Sequence, residues 1–317
     1  MFSYRHAFHA GNHADVLKHL VSMQLFSYMN QKPAPYMAVD THAGAGLYSL
    51  DGGYAAKSAE FETGISRLWL RTDLPPAVQD YVNLIRQLNP NGKLRYYPGS
   101  PYIADLMLRE EDRLRLFELH PSDTRILLEN FDRKSSKPAS GAGADGHAAD
   151  RPQSAGSGAR RGKRVMIQHA DGFAGLKALL PPPSRRAVVL IDPPYEDKND
   201  YRYVKDCLTD CLKRFPTGTY AVWYPILQRA ESQQLPDRLK RLPCKSWLNV
   251  TLSVSSPSPD GFGLHSSGMF VVNPPWTLEA LLKGTMPYLV AALGTDAGAR
   301  FTLESAENPA VKARVAN

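Results

Sequence analysis

The chain contains 317 residues, of which 43% are hydrophobic and 22% are charged, and this composition excludes a chain that is disordered throughout. Its 38 lysines and arginines against 31 acidic residues give a net charge of +7, which permits a polyanionic partner without demonstrating one. Three cysteines are too few for a disulfide scaffold and are typical of a reducing compartment. Because the sequence has no apolar run of about 18 residues and no secretory signal near its start, we expect a cytoplasmic protein without a membrane span.

Four short apolar runs end abruptly in small, acidic or proline residues, at 36–40, 114–118, 164–168 and 187–191. Nearly continuous apolar runs of this length are typical of strands buried on both faces of a parallel sheet. Amphipathic stretches lie between the runs, and three later runs predict further strands, at 219–224, 248–254 and 269–272. The alternation predicts an α/β fold, in which a doubly wound and mostly parallel sheet of about seven strands carries functional groups at its carboxyl edge.

Three segments do not follow this alternation. Residues 51–95 lie in a connection much longer than one crossover helix requires, and their helix-like spacing predicts an inserted helical subdomain. Residues 134–163 are rich in glycine, serine, alanine and proline and predict a flexible low-complexity insertion. Residues 295–317 are expected to form a poorly ordered tail. The main domain therefore comprises residues 1–50 and 96–290.

The most specific motif is Asp192-Pro193-Pro194-Tyr195, which follows the apolar run at 187–191. A strand-ending turn would explain the prolines but not the carboxylate and the aromatic ring beside them. In an enzyme that modifies nucleobases, a carboxylate and a backbone carbonyl can accept hydrogen bonds from an exocyclic amino group and orient it. The prolines fix the backbone, and Tyr195 offers a flat face for an extruded base. We favour this functional interpretation.

Less specific motifs follow the other predicted strands, and their order along the chain makes a shared ligand site more convincing than any one motif does. A turn rich in small residues, 40–46, follows the first run and would let a ligand approach the backbone closely. It lacks the third glycine of a nicotinamide-binding turn. Glu118 ends the second run and could accept hydrogen bonds from two ribose hydroxyls, and Asp171-Gly172 follows the third and could contact an adenine edge. Independent surface turns would rarely line up in this order.

That order resembles S-adenosylmethionine-dependent methyltransferases that modify amino groups. More closely, the sequence resembles the RlmJ family, bacterial 23S ribosomal RNA adenine-N6 methyltransferases, over most of residues 1 to about 290. The segments that carry this resemblance are 1–19, 40–46, 94–101, 118–122, 170–173, 190–195 and 268–276. The family has only a short connection where this chain has residues 134–163, and the tail also departs from the family pattern. Neither departure contains a motif.

The resemblance implies a Rossmann-like, class I methyltransferase fold, S-adenosylmethionine as methyl donor, S-adenosylhomocysteine as product and 23S rRNA as substrate, with no metal. It implies that Asp192 is the catalytic residue and that Tyr4 contacts the RNA. The positions it implies for the cofactor are His19, His42, Ser100, Glu118, Asp171, Gly172 and Asp192. Tyr195 is our candidate for the substrate base, and Lys18 is a candidate for either the cofactor carboxylate or an RNA phosphate. Further candidates for phosphate contacts are Arg5, Arg67 and Arg71.

The sequence alone also allows a metal site and two rival functions. Four histidines near the start could suggest a metal site, namely His6, His9, His13 and His19, but no cysteine or acidic triad accompanies them, and we expect no metal. Cys207 and Cys211 are expected to be thiols in a helix core. Two rival functions use the same fold: a DNA adenine-N6 methyltransferase, and an RNA-binding protein that has lost catalysis. The sequence gives no sign of a protein partner.

Overall fold

The computed structural model describes residues 6–51, 53–135, 164–258 and 263–308. Its strands are β1 (Met37–Asp40), β2 (Leu47–Ser49), β3 (Tyr96–Pro98), β4 (Arg113–Glu118), β5 (Val165–His169), β6 (Ala187–Ile191), β7 (Thr219–Pro225), β8 (Ser246–Ser253), β9 (Ser266–Val272) and β10 (Arg300–Glu307). Its helices are α1 (His13–Asn30), α2 (Gly53–Ser58), α3 (Ser66–Trp69), α4 (Pro76–Arg86), α5 (Ser100–Met107), α6 (Pro121–Ser135), α7 (Gly172–Leu179), α8 (Asp200–Arg214), α9 (Ala230–Lys240) and α10 (Leu278–Leu293). Two short 3₁₀ helices span His6–Phe8 and Glu60–Thr63.

In the described ranges the main sheet has eight strands in the order β10-β8-β9-β7-β6-β1-β4-β5, and β2 and β3 form a separate pair. The strands from β7 to β5 run parallel, whereas β9, β8 and β10 pair antiparallel to their neighbours. The chain leaves β1 towards β4 and β5 and then returns to β6 on its other side. This reversal opens a crevice at the carboxyl ends of β1 and β6, the usual ligand site of doubly wound sheets.

The residues of β6 show why the parallel strands are so apolar. All five are buried, and they alternate between two cores. Val188 and Leu190 pack with α1, α4, α5 and α10 on one face, whereas Val189 and Ile191 pack with α7, α8 and α9 on the other. The predicted doubly wound, mostly parallel α/β fold is therefore confirmed. None of the helices within these described ranges is long and apolar enough to cross a membrane.

The segment predicted as a helical insertion, residues 51–95, contains α2, α3 and α4 together with the Glu60–Thr63 turn. Its apolar residues pack against the main domain as well as against one another. Ile65, Leu68 and Tyr81 lie in the same buried core as Leu17 and Leu20 of α1. The insertion and the first helix of the main domain thus share one core, which fixes their relative position.

The prediction of a poorly ordered tail from residue 295 onward was wrong for residues 300–307. These residues form β10, which pairs antiparallel with the whole of β8 and is the eighth strand of a sheet predicted to have about seven. The strand was missed because it lies at the sheet edge, where only Phe301 and Leu303 pack on the core and the other residues are mostly exposed. Residues 309–317 and 136–163, the latter covering most of the predicted low-complexity insertion, lie outside the described residues.

Candidate active site

The loops that follow β1, β4, β5 and β6 surround a cleft of about 270 Å³, which we call the first cleft. It gathers seven of the residues singled out in the sequence: Lys18, His42, Ser100, Glu118, Asp171, Gly172 and Asp192. The parallel register explains why five of them converge, because the carboxyl ends of neighbouring parallel strands meet at one edge, while Lys18 of α1 and Ser100 of α5 are brought there by helices. A group of polar side chains from distant parts of the sequence therefore faces one volume.

Glu118 is held against the small-residue turn after β1. The backbone N–H of Gly44 donates to its Oε2 at 2.7 Å, and the N–H of His120 donates to its Oε1 at 2.7 Å. Gly44 has φ +59°, and a side chain there would collide with the Tyr48 hydroxyl, so glycine is required. Burial raises the pKa of Glu118 even though both backbone donors oppose the shift. The carboxylate is thus oriented before any ligand arrives.

The end of β5 approaches the same turn closely. Asp171 caps α7, its Oδ1 accepting from the N–H of Phe173 at 2.8 Å. A side chain at Gly172 would overlap the carbonyl oxygen of Thr41, which gives this glycine a packing reason apart from any ligand. The His42 ring lies edge-on to Phe173, with ring centroids 4.9 Å apart, and burial lowers the pKa of His42 to about 3. His42 is therefore a neutral imidazole at physiological pH.

Asp192 at the end of β6 forms an ion pair that the sequence did not predict. Lys18 of α1 places its Nζ 2.7 Å from Asp192 Oδ2 and 2.8 Å from Asp15 Oδ1. The side chains of Lys18 and Asp15 are only 4% and 1% exposed. Burial alone would lower the pKa of Lys18, but the two carboxylates outweigh burial and raise it. A permanent ammonium therefore faces Asp192.

A second cleft of about 170 Å³ adjoins the first and is also lined by Asp192 and Pro194. The two clefts share four lining residues, namely His6, Lys18, Asp192 and Pro194. Tyr195 lines the second cleft, and its hydroxyl donates to the carbonyl oxygen of Trp223 at 2.8 Å. Tyr195 has φ +54°, a left-handed conformation that is costly for a residue other than glycine and is concentrated at functional sites. Asp192 and Pro194 thus stand between two adjoining cavities.

His19 is the predicted cofactor residue that the structure does not bring to either cleft. It is fully buried, its Nδ1 lies 2.8 Å from the hydroxyl of Tyr97, and that hydroxyl lies 2.7 Å from the hydroxyl of Tyr81. Burial lowers the pKa of His19 to about 3. Its place on the inward face of α1 makes it part of a polar network beneath the site. Tyr4 and Arg5 lie outside the described residues.

Four further candidates, His6, His9, Arg67 and Arg71, have partners within the protein. His6 Nε2 lies 3.0 Å from Asp15 Oδ2, and His9 Nδ1 lies 3.0 Å from Glu60, so these histidines face different carboxylates. In the part of the chain that the structure describes, no three potential ligands are grouped as a metal site would need. Arg67 donates to the carbonyl oxygens of Leu293 and Gly294, and Arg71 pairs with Asp73. The Sγ atoms of Cys207 and Cys211 lie buried 3.9 Å apart in α8, which confirms them as core thiols.

Sequence reasoning placed Asp40, the last residue of β1, in the turn at 40–46 but gave its side chain no role. Its Oδ2 accepts from the Ser100 hydroxyl at 2.6 Å and its Oδ1 accepts from the N–H of His42 at 3.1 Å. Burial, reinforced by the nearby charge of Asp192, raises the pKa of Asp40 to about 6. An acidic residue that ends a fully buried strand was a usable signal, since it must either find donors or lose its charge.

The reversal of the sheet at β1, the cleft at its carboxyl edge and the Asp-Pro-Pro-Tyr wall define a Rossmann-like methyltransferase of class I. A family model described as "Ribosomal RNA large subunit methyltransferase D, RlmJ" matches residues 33–162 and 157–304. The chain is 42% identical over 293 residues to ribosomal RNA large subunit methyltransferase J of Escherichia coli, covering 92% of this chain and 94% of that protein. The Haemophilus influenzae protein of the same name is also 42% identical, over 96% of this chain and 98% of its own length.

Among solved structures, the protein LPL1258 of Legionella pneumophila is similar over 94% of this chain and 98% of its own, with a TM-score of 0.77 and 33% identity. The match to the family model and the identity to the two relatives extend over most of the sequence. The chain therefore belongs to the RlmJ family of methyltransferases.

Proposed function

We propose that the protein transfers a methyl group from S-adenosylmethionine to the N6 atom of an adenine in 23S rRNA. The names of the two relatives support ribosomal RNA of the large subunit as the substrate. The observation that carries the proposal is the wall shared by two clefts. Asp192 and Pro194 border both cavities, so one cavity can hold the methyl donor and the other the base, with the carboxylate between them.

The residues of the first cleft fit the donor. Glu118 is oriented by two backbone N–H groups and retains lone pairs for the ribose hydroxyls of a nucleoside. Asp171, Phe173 and His42 also line this cleft and suit an adenine ring. Ser100, a further lining residue, donates to the buried carboxyl of Asp40. When bound, S-adenosylmethionine supplies an electrophilic methyl carbon on a sulfonium.

The protein's own task is to orient the amino nitrogen. The Asp192 carboxylate, with the ammonium of Lys18 at 2.7 Å, is placed to accept a hydrogen bond from an exocyclic NH2. A proline carbonyl of the same wall is a second acceptor, and Tyr195 lines the cavity in which the base would lie. Both hydrogen bonds strengthen as positive charge builds on the nitrogen, and this differential stabilisation lowers the barrier. Asp192 therefore acts first as acceptor and orienter, and the methylated nitrogen then loses one of its protons to water.

The proposal is tested by incubating the protein with methyl-labelled S-adenosylmethionine and deproteinised 23S rRNA, and in parallel with duplex DNA. Nuclease digestion and mass spectrometry of the nucleosides should show labelled N6-methyladenosine from the RNA and none from the DNA. Label in the DNA alone would instead establish the rival DNA methyltransferase. Calorimetric titration with S-adenosylmethionine addresses the second rival, since an inactive RNA-binding relative need not bind the donor. A ribosomal substrate would also place the protein in the cytoplasm.

A further inference from the structure

A carboxylate outside both clefts is bonded to the start of α1. Glu60 lies in the 3₁₀ turn of the inserted segment, 48 residues away in sequence from its partner Asn12. Its Oε2 accepts from Asn12 Nδ2 at 2.9 Å, and both of its oxygens lie 3.0 Å from His9 Nδ1. Although burial opposes the shift, the hydrogen bond and the charge of His9 lower the pKa of Glu60. The inserted segment thus holds the chain just before α1 through an ion pair and a hydrogen bond.

Asn12 transmits this contact to the helix. Its Oδ1 accepts from the N–H of Asp15 at 2.9 Å, so Asn12 is the N-cap of α1. The adjacent backbone is equally constrained, because the N–H of Ile65 donates to the Gly11 carbonyl at 2.8 Å and a side chain at Gly64 would overlap that oxygen. The start of α1 and the inserted segment are therefore in close backbone contact.

The first turn of α1 leads directly to the proposed catalytic carboxylate. Asp15 Oδ2 accepts from the N–H of Gly11 at 2.9 Å, and Asp15 Oδ1 lies 2.8 Å from Lys18 Nζ. Lys18 Nζ lies in turn 2.7 Å from Asp192 Oδ2. A continuous series of polar contacts therefore runs from Glu60 through Asn12, Asp15 and Lys18 to Asp192.

We propose that Glu60 is a positioning residue for methyl transfer, which holds the N-cap of α1 so that Lys18 keeps Asp192 aligned in the wall between the clefts. The inference rests on the proposed function. Reactions that depend on alignment lose rate steeply when a group moves by a fraction of an ångström to an ångström. Glu60 lines neither cleft, but its two direct partners, Asn12 and His9, both line the second cleft, so its effect reaches the reacting atoms through these neighbours.

The test compares Glu60→Ala with Glu62→Ala, an exposed glutamate on the same 3₁₀ turn. Activity is expressed per folded molecule, counted from the stoichiometry of S-adenosylmethionine binding in calorimetry. Glu60→Ala should lower kcat about tenfold and leave the Kd of S-adenosylmethionine within about twofold, as is usual when a supporting contact is lost. Glu60→Gln should recover most of the rate, since its amide oxygen still accepts from Asn12. Equal kcat values for the Glu60→Ala and Glu62→Ala variants would overturn the proposal.

A second readout requires no substrate. Amide hydrogen exchange in the first turn of α1 should accelerate at least about tenfold in Glu60→Ala and remain at the wild-type rate in Glu62→Ala. Unchanged exchange would overturn the inference even if methyl transfer is confirmed. Conversely, faster exchange in a protein whose wild type methylates no RNA would contradict the proposed function and leave the structural link from Glu60 to α1 intact.

Discussion

The two clefts on either side of Asp192 differ in how the chain builds them. Most residues that line the first cleft stand at or just after the carboxyl ends of the four neighbouring parallel strands β6, β1, β4 and β5. The second combines the start of α1 with the end of β7 and the segment around Leu264. Its central contact joins Lys18 to Asp192, 174 residues apart. Sheet topology therefore brings together most of the first cleft, whereas the second depends on how α1 packs against the sheet.

Lys18 is the residue on which both clefts depend, so its removal should have the largest effect. Lys18→Met leaves the nearly buried carboxylates of Asp15 and Asp192 without their shared cation. We expect the free energy of unfolding, measured with urea near pH 8, to fall by about 3–5 kcal/mol. The matched control is Lys198→Met, an exposed lysine in the loop after β6, which should change it by less than about 0.5 kcal/mol. Equal effects of the two variants would show that the buried ion pair is unimportant.

Asp40 does not itself line the first cleft but accepts a hydrogen bond from Ser100, which does, and its effect on stability depends on pH. Its pKa is raised from 3.8 to about 6, so the native state binds a proton that the unfolded chain has already lost between about pH 4 and pH 7. Asp40 therefore lowers stability as the pH rises through this window, by roughly 3 kcal/mol. Asp40→Asn cannot ionise. The unfolding free energy of the variant relative to the wild type should rise across the window in urea titrations, and parallel profiles would contradict the shifted pKa.

Glu118 should affect the first cleft alone. Glu118→Gln replaces one carboxylate oxygen by an NH2 group, which donates only and so can accept neither the backbone N–H nor a ribose hydroxyl. We expect the Kd of S-adenosylmethionine in calorimetry to increase about tenfold. Glu110→Gln, an exposed change in the turn before β4, is the control and should leave the Kd unchanged. If the Kd of S-adenosylmethionine were the same in both variants, Glu118 would not contribute to binding the methyl donor.

Tyr195 should give the smallest effect, confined to the second cleft. Tyr195→Phe removes the hydroxyl that donates to the Trp223 carbonyl, and we expect a loss of about 1 kcal/mol in unfolding free energy. The Kd of S-adenosylmethionine should stay unchanged, because Tyr195 does not line the first cleft. Tyr96→Phe, at a more exposed tyrosine, controls for the substitution itself. A marked loss of donor affinity in Tyr195→Phe would mean that the two clefts are not functionally separate.

The parts of the molecule that sequence reasoning could predict are those governed by local pattern. The run at 187–191 is apolar throughout and so predicts a buried strand. It is apolar because every residue of β6 packs on one of two cores. Glu118 and Asp171 could be assigned to one site because each follows a strand of the parallel sheet. By contrast, β10 was missed because an edge strand with few buried residues resembles a polar tail.

The contacts that sequence reasoning missed depend on packing between distant elements. From the sequence, Lys18 could contact either the cofactor carboxylate or an RNA phosphate. The residues next to it in the sequence do not indicate that Asp192 is its partner. His19 was carried over by resemblance, whereas its place on α1 turns it towards Tyr97 and away from the first cleft. The link from Glu60 to Asn12 is equally invisible in the sequence, because it depends on how the inserted segment packs on α1.

The central claim is that the Asp192 carboxylate orients the amino group that receives the methyl. The most direct test is the single-turnover rate of methyl transfer to 23S rRNA with donor and RNA both saturating, comparing Asp192→Ala with Asp197→Ala, an exposed aspartate five residues further along the same loop. We predict a loss of about 100-fold or more for Asp192→Ala and less than about twofold for Asp197→Ala. A rate for Asp192→Ala within about threefold of the wild type would contradict the account.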